Sequence, residues 1–212
     1  QPKLGVSKGD LTKLKGKVKH LFHLGAVYDL EASAEEMHKA NIVGTESALA
    51  FANAVNAGCF HLVSSIAAAG LYRGTFTEDM FEEAEDLDHP YYRTKHDAEA
   101  LVRRETGIRW RIYRPGVVVG HSATGEMDKV DGPYYFFPAI RQVSNALPGW
   151  LRAIMVQGGS INIVPVDFVV DAMDYLMHAR GQDGQTFFLT DPKGITTGDL
   201  VRVLLQAAHG PK

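Results

Sequence analysis

The sequence predicts an α/β fold built on a doubly wound parallel sheet. Short apolar runs recur at residues 18–24, 59–65 and 109–114, and their lengths suit buried strands. Segments with helical periodicity separate these runs, and such a strand–helix–strand succession is typical of parallel sheets with right-handed crossovers. A chain of 212 residues with 45% hydrophobic content is long enough to bury such a sheet.

Local signals predict where the other elements begin and end. Ser33 and Glu36 have the spacing of a capping box, which predicts a helix that runs to about residue 57. The remaining predicted elements are a helix at 91–106, a strand at 161–166, a helix at 167–180 with Asp167 as its cap, a strand at 186–189 and a closing helix from residue 197.

Two polar segments are predicted to lie outside these elements. Residues 1–17 are rich in Lys and Gly, which predicts the tail of a connection rather than the start of a domain. Residues 71–89 carry seven carboxylates, which predicts a solvated loop. No His–carboxylate cluster with the spacing of metal ligands accompanies this acidic segment, so we expect no metal site.

Composition argues against several classes of function. The net charge is −3 and the basic residues are scattered, so nucleic acid is not an expected partner. The single cysteine, Cys59, excludes an internal disulfide and fits a reducing compartment. No apolar run reaches the roughly 18 residues of a transmembrane segment, and the first residues lack the core of a signal peptide, so we expect a cytoplasmic protein. The chain begins with Gln1 rather than methionine, which suggests an incomplete sequence.

The pair Tyr91 and Lys95 is a candidate for proton transfer. Four residues separate them, so on a helix both side chains lie on one face, one turn apart. A free tyrosine has a pKa of about 10, and a neighbouring ammonium favours the phenolate and lowers that pKa. We therefore expect a tunable general acid, whereas an ordinary exposed helix start is the alternative for this motif alone.

Small and polar residues follow the first two predicted strands. Gly25 and Ala26 end the first strand, and Ser64 and Ser65 end the second. Ligands bind beyond the carboxyl ends of strands in open parallel sheets, although serines there also form simple turns. Asn41 lies among the inward positions of the intervening helix, where an amide needs partners. It either bridges backbone groups near a site or is a solvated or capped asparagine on the flank of the helix.

Five motifs follow one another in a recognisable order. They are His23-Leu24-Gly25-Ala26, Asn41-Ile42-Val43-Gly44-Thr45, Val63-Ser64-Ser65, Tyr91-x-x-x-Lys95 and Arg114-Pro115-Gly116-Val117-Val118. Together they resemble the extended short-chain dehydrogenase/reductase family. The segments at 120–128 and 162–169 are similar to its thioester-reductase and fatty-acyl-CoA-reductase branch, often called male-sterility-like. The resemblance extends from about residue 11 to residue 205.

The resemblance implies a Rossmann-type sheet that is incomplete at its N-terminus. A glycine-rich βαβ unit opens the domain in that family, whereas neither G-x-G-x-x-G nor G-x-x-x-x-G-K occurs here. We assign residues 1–119 to the C-terminal part of the dinucleotide-binding domain and residues 120–212 to a substrate-binding region packed on it. The first strand of this chain is then expected to have an open edge.

The resemblance also implies a role for each site residue. Tyr91 would donate the proton, Ser65 would hydrogen-bond the same substrate oxygen, and Lys95 would hold the ribose of NADP(H) or NAD(H). The other cofactor contacts implied are Gly25, Ala26, Asn41, Val63, Ser64, Pro115, Gly116, Val117 and Val118. Ser122, Thr124 and Gly125 would meet the substrate, beside an apolar wall within residues 133–155.

The expected activity is NAD(P)H-dependent reduction of a carbonyl or acyl thioester, with an acyl thioester or aldehyde as the small-molecule substrate. Within the same superfamily, a sugar-nucleotide epimerase or dehydratase and a hydroxysteroid-type dehydrogenase are alternatives. A truncated, non-catalytic fragment is a third. A homo-oligomer or a larger multidomain parent is compatible with the sequence.

Overall fold

The computed structural model describes residues 2–28, 32–127 and 159–208. Its strands are β1 His20–His23, β2 Cys59–Val63, β3 Arg109–Pro115, β4 Val117–Val119, β5 Ser160–Ile161, β6 Ile163–Pro165, β7 Gln185–Leu189 and β8 Ile195–Thr196. Its α-helices are α1 Lys8–Leu14, α2 Ala34–Met37, α3 Gly44–Ala54, α4 Pro90–Arg103, α5 Val166–His178 and α6 Thr197–Ala208. Short 3-10 segments lie at Pro2–Gly5 and Ile66–Ala69, and a π-helical turn lies at His38–Val43.

The chain divides into two units, of which the first contains Gln1–Pro115 and Asp171–Leu189. Its sheet has the order β1-β2-β3-β7, and all neighbouring strands are parallel. Helices α3 and α4 supply apolar side chains to a core with the sheet, in which Val55, Phe60, Val102 and Ile112 are fully buried. The predicted α/β fold with a parallel sheet is therefore confirmed.

The predicted helix at 33–57 is present but interrupted. Ser33 and Glu36 form the predicted capping box, in which each side chain accepts a hydrogen bond from the other residue's backbone N–H, at 3.0 and 3.2 Å. Between α2 and α3 the chain follows the π-helical turn His38–Val43, which contains Asn41. Such π turns recur at functional sites because the extra residue redirects side chains.

Residues 1–17 are not merely a connection, so that prediction is wrong for α1. The side chain of Ser7 caps this helix by accepting from the backbone N–H of Asp10 at 3.2 Å. Leu11 and Val6 are partly buried against the core of the first unit. Helix α1 is too short for its apolar residues to show a clear helical period in the sequence. In the fold, contact with that core stabilises the helix.

The acidic segment between Ser65 and Tyr91 follows a defined path. Its carboxylates are exposed, as predicted, while Met80 and Phe81 turn inward. Gly70 has φ +64°, and a Cβ there would meet the backbone oxygen of Glu85 at 1.8 Å. Only glycine therefore fits where the two ends of this segment meet.

The second unit contains Gly116–Val170 and Thr190–Lys212. In it β4 pairs with β6 in parallel, and β5 pairs with β8 antiparallel, so the single strand predicted at 161–166 is two short strands. Asn162 separates them and joins Asp191 through two hydrogen bonds of 2.6 and 2.9 Å. Among the helices described, none is long and apolar enough to cross a bilayer.

Candidate functional site

Helix α4 positions the two residues of the proton-transfer motif. His89 caps the helix by accepting a hydrogen bond from the backbone N–H of Tyr91 at 3.1 Å, and Pro90 occupies the first turn, where its missing N–H has no consequence. Lys95 follows Tyr91 by one turn and is 7% exposed. The sequence-predicted helical face is therefore confirmed.

Ser65 reaches Tyr91 from the end of β2. Its hydroxyl oxygen caps the 3-10 segment Ile66–Ala69 by accepting from the N–H of Ala67 at 3.1 Å. With one lone pair occupied in this way, the hydroxyl hydrogen of Ser65 is free to be donated. A side-chain hydrogen bond with Ser65 favours the phenolate of Tyr91 and opposes the rise in its pKa.

The pKa of Tyr91 is raised rather than lowered. Burial is the largest cause, because a phenolate loses hydration in the site, and the hydrogen bond with Ser65 offsets only part of this effect. The predicted lowering of this pKa by the Lys95 ammonium is therefore wrong in this structure. Tyr91 stays protonated at neutral pH, which is the form that a proton donor needs.

Lys95 is a buried cation with little direct stabilisation. Its ammonium donates to the carbonyl oxygen of Val63 at 3.4 Å, a long hydrogen bond. Burial lowers the pKa of Lys95 to about 8, and the charge of Glu99 opposes that change. An ammonium has three donors, so Lys95 can offer further hydrogen bonds to a ligand.

A small pocket lies at the carboxyl ends of β1 and β2, where open parallel sheets bind ligands. It brings together six of the residues that the sequence analysis assigned to cofactor contact: Gly25, Ala26, Asn41, Val63, Ser64 and Lys95. Its other lining residues, which sequence reasoning missed, are His23, Thr45, Leu62 and Ala98. The sequence signal that could have identified His23 is its place in the motif His23-Leu24-Gly25-Ala26.

Ser64 gives this pocket an unpartnered polar group. Its side chain is 4% exposed, and its hydroxyl oxygen has no hydrogen-bond partner among the described residues. A buried hydroxyl normally has a partner, because burial without one costs about 1–3 kcal/mol. The hydroxyl of Ser64, the spare donors of Lys95 and the small side chain of Ala26 fit a polar ligand that lies close to the backbone.

Asn41 joins the loop after β1 to α4. Its amide oxygen accepts from the N–H of Val27 at 2.8 Å, and its nitrogen donates to the carbonyl of Val27 and the hydroxyl of Thr94, both at 3.0 Å. The predicted bridging of backbone groups is thus confirmed. Because both amide hydrogens are used, Asn41 positions the pocket wall and has little left to offer a cofactor.

His23 and Thr45 form a second polar link in the pocket wall. Thr45 donates its only hydroxyl hydrogen to the carbonyl of Asn41 at 2.6 Å, so it can only accept from His23 Nε2, which lies 3.1 Å away. His23 therefore carries its proton on Nε2. Burial and the charge of Lys95 both lower the pKa of His23, which keeps the ring neutral.

The remaining predicted site residues divide between the units. Pro115 is the last residue of β3 and pairs with Leu189 in the first unit. Gly116, Val117 and Val118 lie in the second unit, where the N–H of Val117 donates to the carbonyl of Asn162 at 2.7 Å. A Cβ on Gly116 would lie 2.7 Å from that carbonyl oxygen, so close backbone packing explains this glycine.

The predicted substrate residues form a turn within the second unit. Gly125 has φ +71° and donates its N–H to the carbonyl of His121 at 2.8 Å, while Thr124 is exposed. Ser122 donates its hydroxyl and its N–H to the carboxylate of Asp167, at 2.6 and 2.9 Å. The predicted helix-capping role of Asp167 is wrong, because α5 begins at Val166 and the carboxylate binds Ser122 instead.

Two further expectations concern an apolar wall and a metal. The predicted apolar wall at 133–155 lies outside the described residues. Within the ranges that the structure describes, no group of three or more His, Cys, Asp or Glu side chains could hold a metal ion. Cys59 is buried, and burial raises its pKa to about 11, as suits an unreactive thiol.

Comparisons with known proteins agree with this architecture. The chain is 28% identical over 211 residues to a linear gramicidin synthase of Brevibacillus parabrevis, covering 96% of this chain and 4% of that protein. It is 27% identical over 200 residues to aldehyde reductase lnbA of Aspergillus flavus, covering 89% of this chain and 19% of that protein. The chain thus spans a fifth or less of either curated relative.

A solved structure shows the same fold. The terminal R domain from the myxalamid PKS-NRPS biosynthetic pathway superposes with a TM-score of 0.75 and is 27% identical, covering 93% of this chain and 50% of that chain. A family model described as Male sterility protein matches residues 1–173, which confirms the branch inferred from the motifs. This chain therefore belongs to the male sterility protein family, within the extended short-chain dehydrogenases/reductases.

Proposed function

We propose that this chain carries the proton-donating site of an NAD(P)H-dependent reductase that acts on an acyl thioester or aldehyde. The observation that carries the proposal is the placement of Tyr91 and the buried Lys95 one turn apart on α4, against which the 3-10 segment capped by Ser65 packs. The similarity to aldehyde reductase lnbA and to the terminal R domain supports reduction of a carbonyl group.

In this proposal Tyr91 donates its phenolic proton to the carbonyl oxygen of the substrate. Ser65 donates a hydrogen bond to the oxyanion that forms, and then to the phenolate that remains on Tyr91. Lys95 is proposed to hold the cofactor ribose and to return a proton to the phenolate after the reaction. The raised pKa of Tyr91 suits this order of events, because the phenol is protonated before the reaction and becomes an acid only when negative charge develops on its acceptor.

The pocket at the ends of β1 and β2 is proposed to hold the cofactor beside these groups. Gly25 and Ala26 allow close approach to the backbone, and Ser64 and Lys95 donate to ribose or amide oxygens. A bound nicotinamide cofactor would supply the hydride. Contacts of the cofactor with Pro115, Gly116, Val117 and Val118 belong to the same proposal, which leaves the choice between NADPH and NADH open.

The substrate part of the proposal rests on the chemistry of thioester reduction. A hydride added to a thioester carbon, with the proton from Tyr91 added to oxygen, gives a hemithioacetal. Breakage of its C–S bond, with the hydroxyl proton moving to sulfur, releases a thiol and an aldehyde. Ser122, Thr124 and Gly125 are proposed to contact this substrate.

We also propose a cytoplasmic multidomain parent protein, which is consistent with the large synthase that resembles this chain.

The test compares Tyr91→Phe with Tyr92→Phe in the natural full-length protein. Tyr92 is a half-buried neighbour on the same helix turn, so its substitution controls for general damage to α4. Reduction of an acyl-CoA and of a fatty aldehyde is followed by NADPH absorbance. We expect kcat of Tyr91→Phe to fall by about 10²- to 10⁴-fold, with Tyr92→Phe near the parent value. Full activity in Tyr91→Phe would show that the proposed mechanism is wrong.

A further inference from the structure

Glu99 and Arg114 form a fully buried ion pair one helical turn beyond Lys95. Arg114 donates from Nε to Oε1 of Glu99 at 3.0 Å and from Nη2 to Oε2 at 2.8 Å, so the pair is bidentate. Both side chains have an exposed fraction of 0%. Glu99 lies on α4 and Arg114 on β3, so the pair joins the helix that carries Tyr91 and Lys95 to the sheet.

Arg114 also anchors the segment that leads to Tyr91. Its Nη1 and Nη2 both donate to the carbonyl oxygen of Met80 at 3.2 Å. Its guanidinium lies 5.2 Å from the ring centres of Phe76 and Phe188. Glu99 therefore balances the charge of Arg114, and Glu99 and the backbone of Met80 together accept four hydrogen bonds from its guanidinium.

A buried ion pair is not the most stable way to fill such a position. Replacement of a pair of this kind by apolar side chains of similar volume is often neutral or stabilising, because two charges no longer have to be desolvated. Another buried charge, the ammonium of Lys95, lies one helical turn before Glu99, and its hydrogen bond among the described residues is the 3.4 Å contact with Val63. The location of the ion pair suggests an electrostatic role beyond packing.

Resting on the proposed function, we propose that Glu99 is a positioning residue whose carboxylate, held in place by Arg114, keeps the Lys95 ammonium charged. Glu99 follows Lys95 by four residues, and both are buried on the same face of α4. Lys95 and Glu99 form no direct salt bridge among the described residues, so Glu99 acts on Lys95 through its electric field, which is weakly screened in a buried site.

The other groups facing Lys95 do not supply a negative charge. These groups are the neutral ring of His23 on β1, the carbonyl of Val63 and the hydroxyl of Ser64 at the end of β2, and the amide of Asn41 in the π turn. Burial alone disfavours the ammonium, and Glu99 is the charge that opposes this effect in the described structure. Without Glu99, Lys95 would lose its proton at a lower pH.

The test measures the titration of Lys95 directly, by NMR of protein labelled with ¹³C at lysine Cε, with Lys95→Arg used for assignment. The variant Glu99→Met/Arg114→Met removes both charges of the pair together. Arg103, whose Nη2 lies 3.5 Å from Glu99, keeps its hydrogen bond of 2.7 Å to Thr186. We expect the proton affinity of Lys95 to fall by about tenfold, while the free energy of unfolding stays near that of the parent. Glu99→Gln, which leaves Arg114 in place, gives a second measurement if the double variant folds poorly.

Asp183→Asn is the matched control. Asp183 accepts from the buried Arg111 at 2.9 Å in the same unit, so its loss disturbs an ion pair of the sheet without removing a charge that acts on Lys95. We expect this variant to lose stability while Lys95 titrates as in the parent. An unchanged titration of Lys95 in the Glu99 variants would overturn the proposal.

The NMR readout also separates this inference from the proposed function. If the proposed function is right, the alkaline limit of kcat/KM moves to lower pH together with the titration of Lys95. A shifted titration with an unshifted rate profile would support the link between Glu99 and Lys95, and it would count against the proposed role of Lys95 in the reaction.

Discussion

The amide of Asn41 donates a hydrogen bond of 3.0 Å to the hydroxyl of Thr94, which lies 53 residues further along the chain. Asn41 belongs to the π-helical turn and Thr94 to α4, directly before Lys95. The same amide holds Val27, in the loop after β1, through its N–H and its carbonyl. One side chain thus sets the distance between two walls of the candidate pocket.

Asn41→Ala is expected to destabilise the protein by about 1–3 kcal/mol, because it leaves buried partners on Val27 and Thr94 without a hydrogen bond. Asn53→Ala is the control, since Asn53 is exposed and its side chain donates to the half-buried Glu105 in the hydrogen bonds described. Its substitution should cost less than about 0.5 kcal/mol. Urea unfolding followed by circular dichroism measures both values, and equal losses would contradict the bridging role.

Ser64→Ala is expected to separate stability from binding. The hydroxyl of Ser64 is buried without a partner in the described structure, so its removal should leave stability unchanged or raise it by up to about 1 kcal/mol. The same change should weaken NADPH binding, measured by titration calorimetry, because the ligand loses a hydrogen-bond partner. A variant that is less stable and binds NADPH normally would show that this hydroxyl is structural.

Ser65→Ala provides the comparison for the neighbouring serine. This change removes the hydrogen bond that caps the N–H of Ala67, a loss that should lower the free energy of unfolding by about 1 kcal/mol. It also removes the interaction with Tyr91. We therefore expect the two serines to have opposite effects on the free energy of unfolding, measured in the same urea experiment.

His61 is expected to make the protein less stable in acid. Its ring is buried between Phe22 and Tyr113, with hydrogen bonds of 2.9 Å to His20 and to Tyr113. Burial lowers the pKa of His61 to about 4 from an ordinary value of 6.5. Between these two values the unfolded chain binds the proton and the folded chain does not. The contribution of His61 to the free energy of unfolding is therefore fully present above pH 6.5, and it is lost as the pH falls towards 4.

Thermal unfolding at a series of pH values measures this effect. The variant His61→Gln should lose less stability than the parent between pH 6.5 and 4, because it cannot take up that proton. His178→Gln is the control, since His178 is exposed. If both variants follow the parent curve, the acid sensitivity comes from other groups.

Sequence patterns predicted those features that depend on neighbouring residues. The capping box of Ser33 and Glu36 and the helical pairing of Tyr91 with Lys95 involve spacings of three and four residues, so local backbone geometry suffices to form them. The predicted strands appear within a few residues of their expected positions, because an apolar run between turns has few other stable conformations. The family motifs then predicted the branch that the comparisons confirmed.

Other features depend on residues far apart in the chain, which periodicity does not detect. The pattern of the first helix did not indicate its π turn, whose stability comes from the contacts of Asn41 with Val27 and Thr94. The carboxylate of Asp167 looked like a helix cap, whereas its partner Ser122 lies 45 residues earlier. The sequence predicted that Lys95 lowers the pKa of Tyr91. In the structure burial, which is a property of the whole fold, raises the pKa of Tyr91 instead.

The sequence by itself therefore determined the α/β succession, the placement of small and hydroxyl residues at strand ends, and the side chains capable of proton transfer. The tertiary structure alone decided that Ser65 reaches Tyr91, that Ser64 is buried without a partner among the described residues, and that Glu99 is fixed by Arg114 beside Lys95. The reason is physical: spacing along the chain sets which face a side chain occupies, whereas strand order, register and burial set its neighbours and its charge.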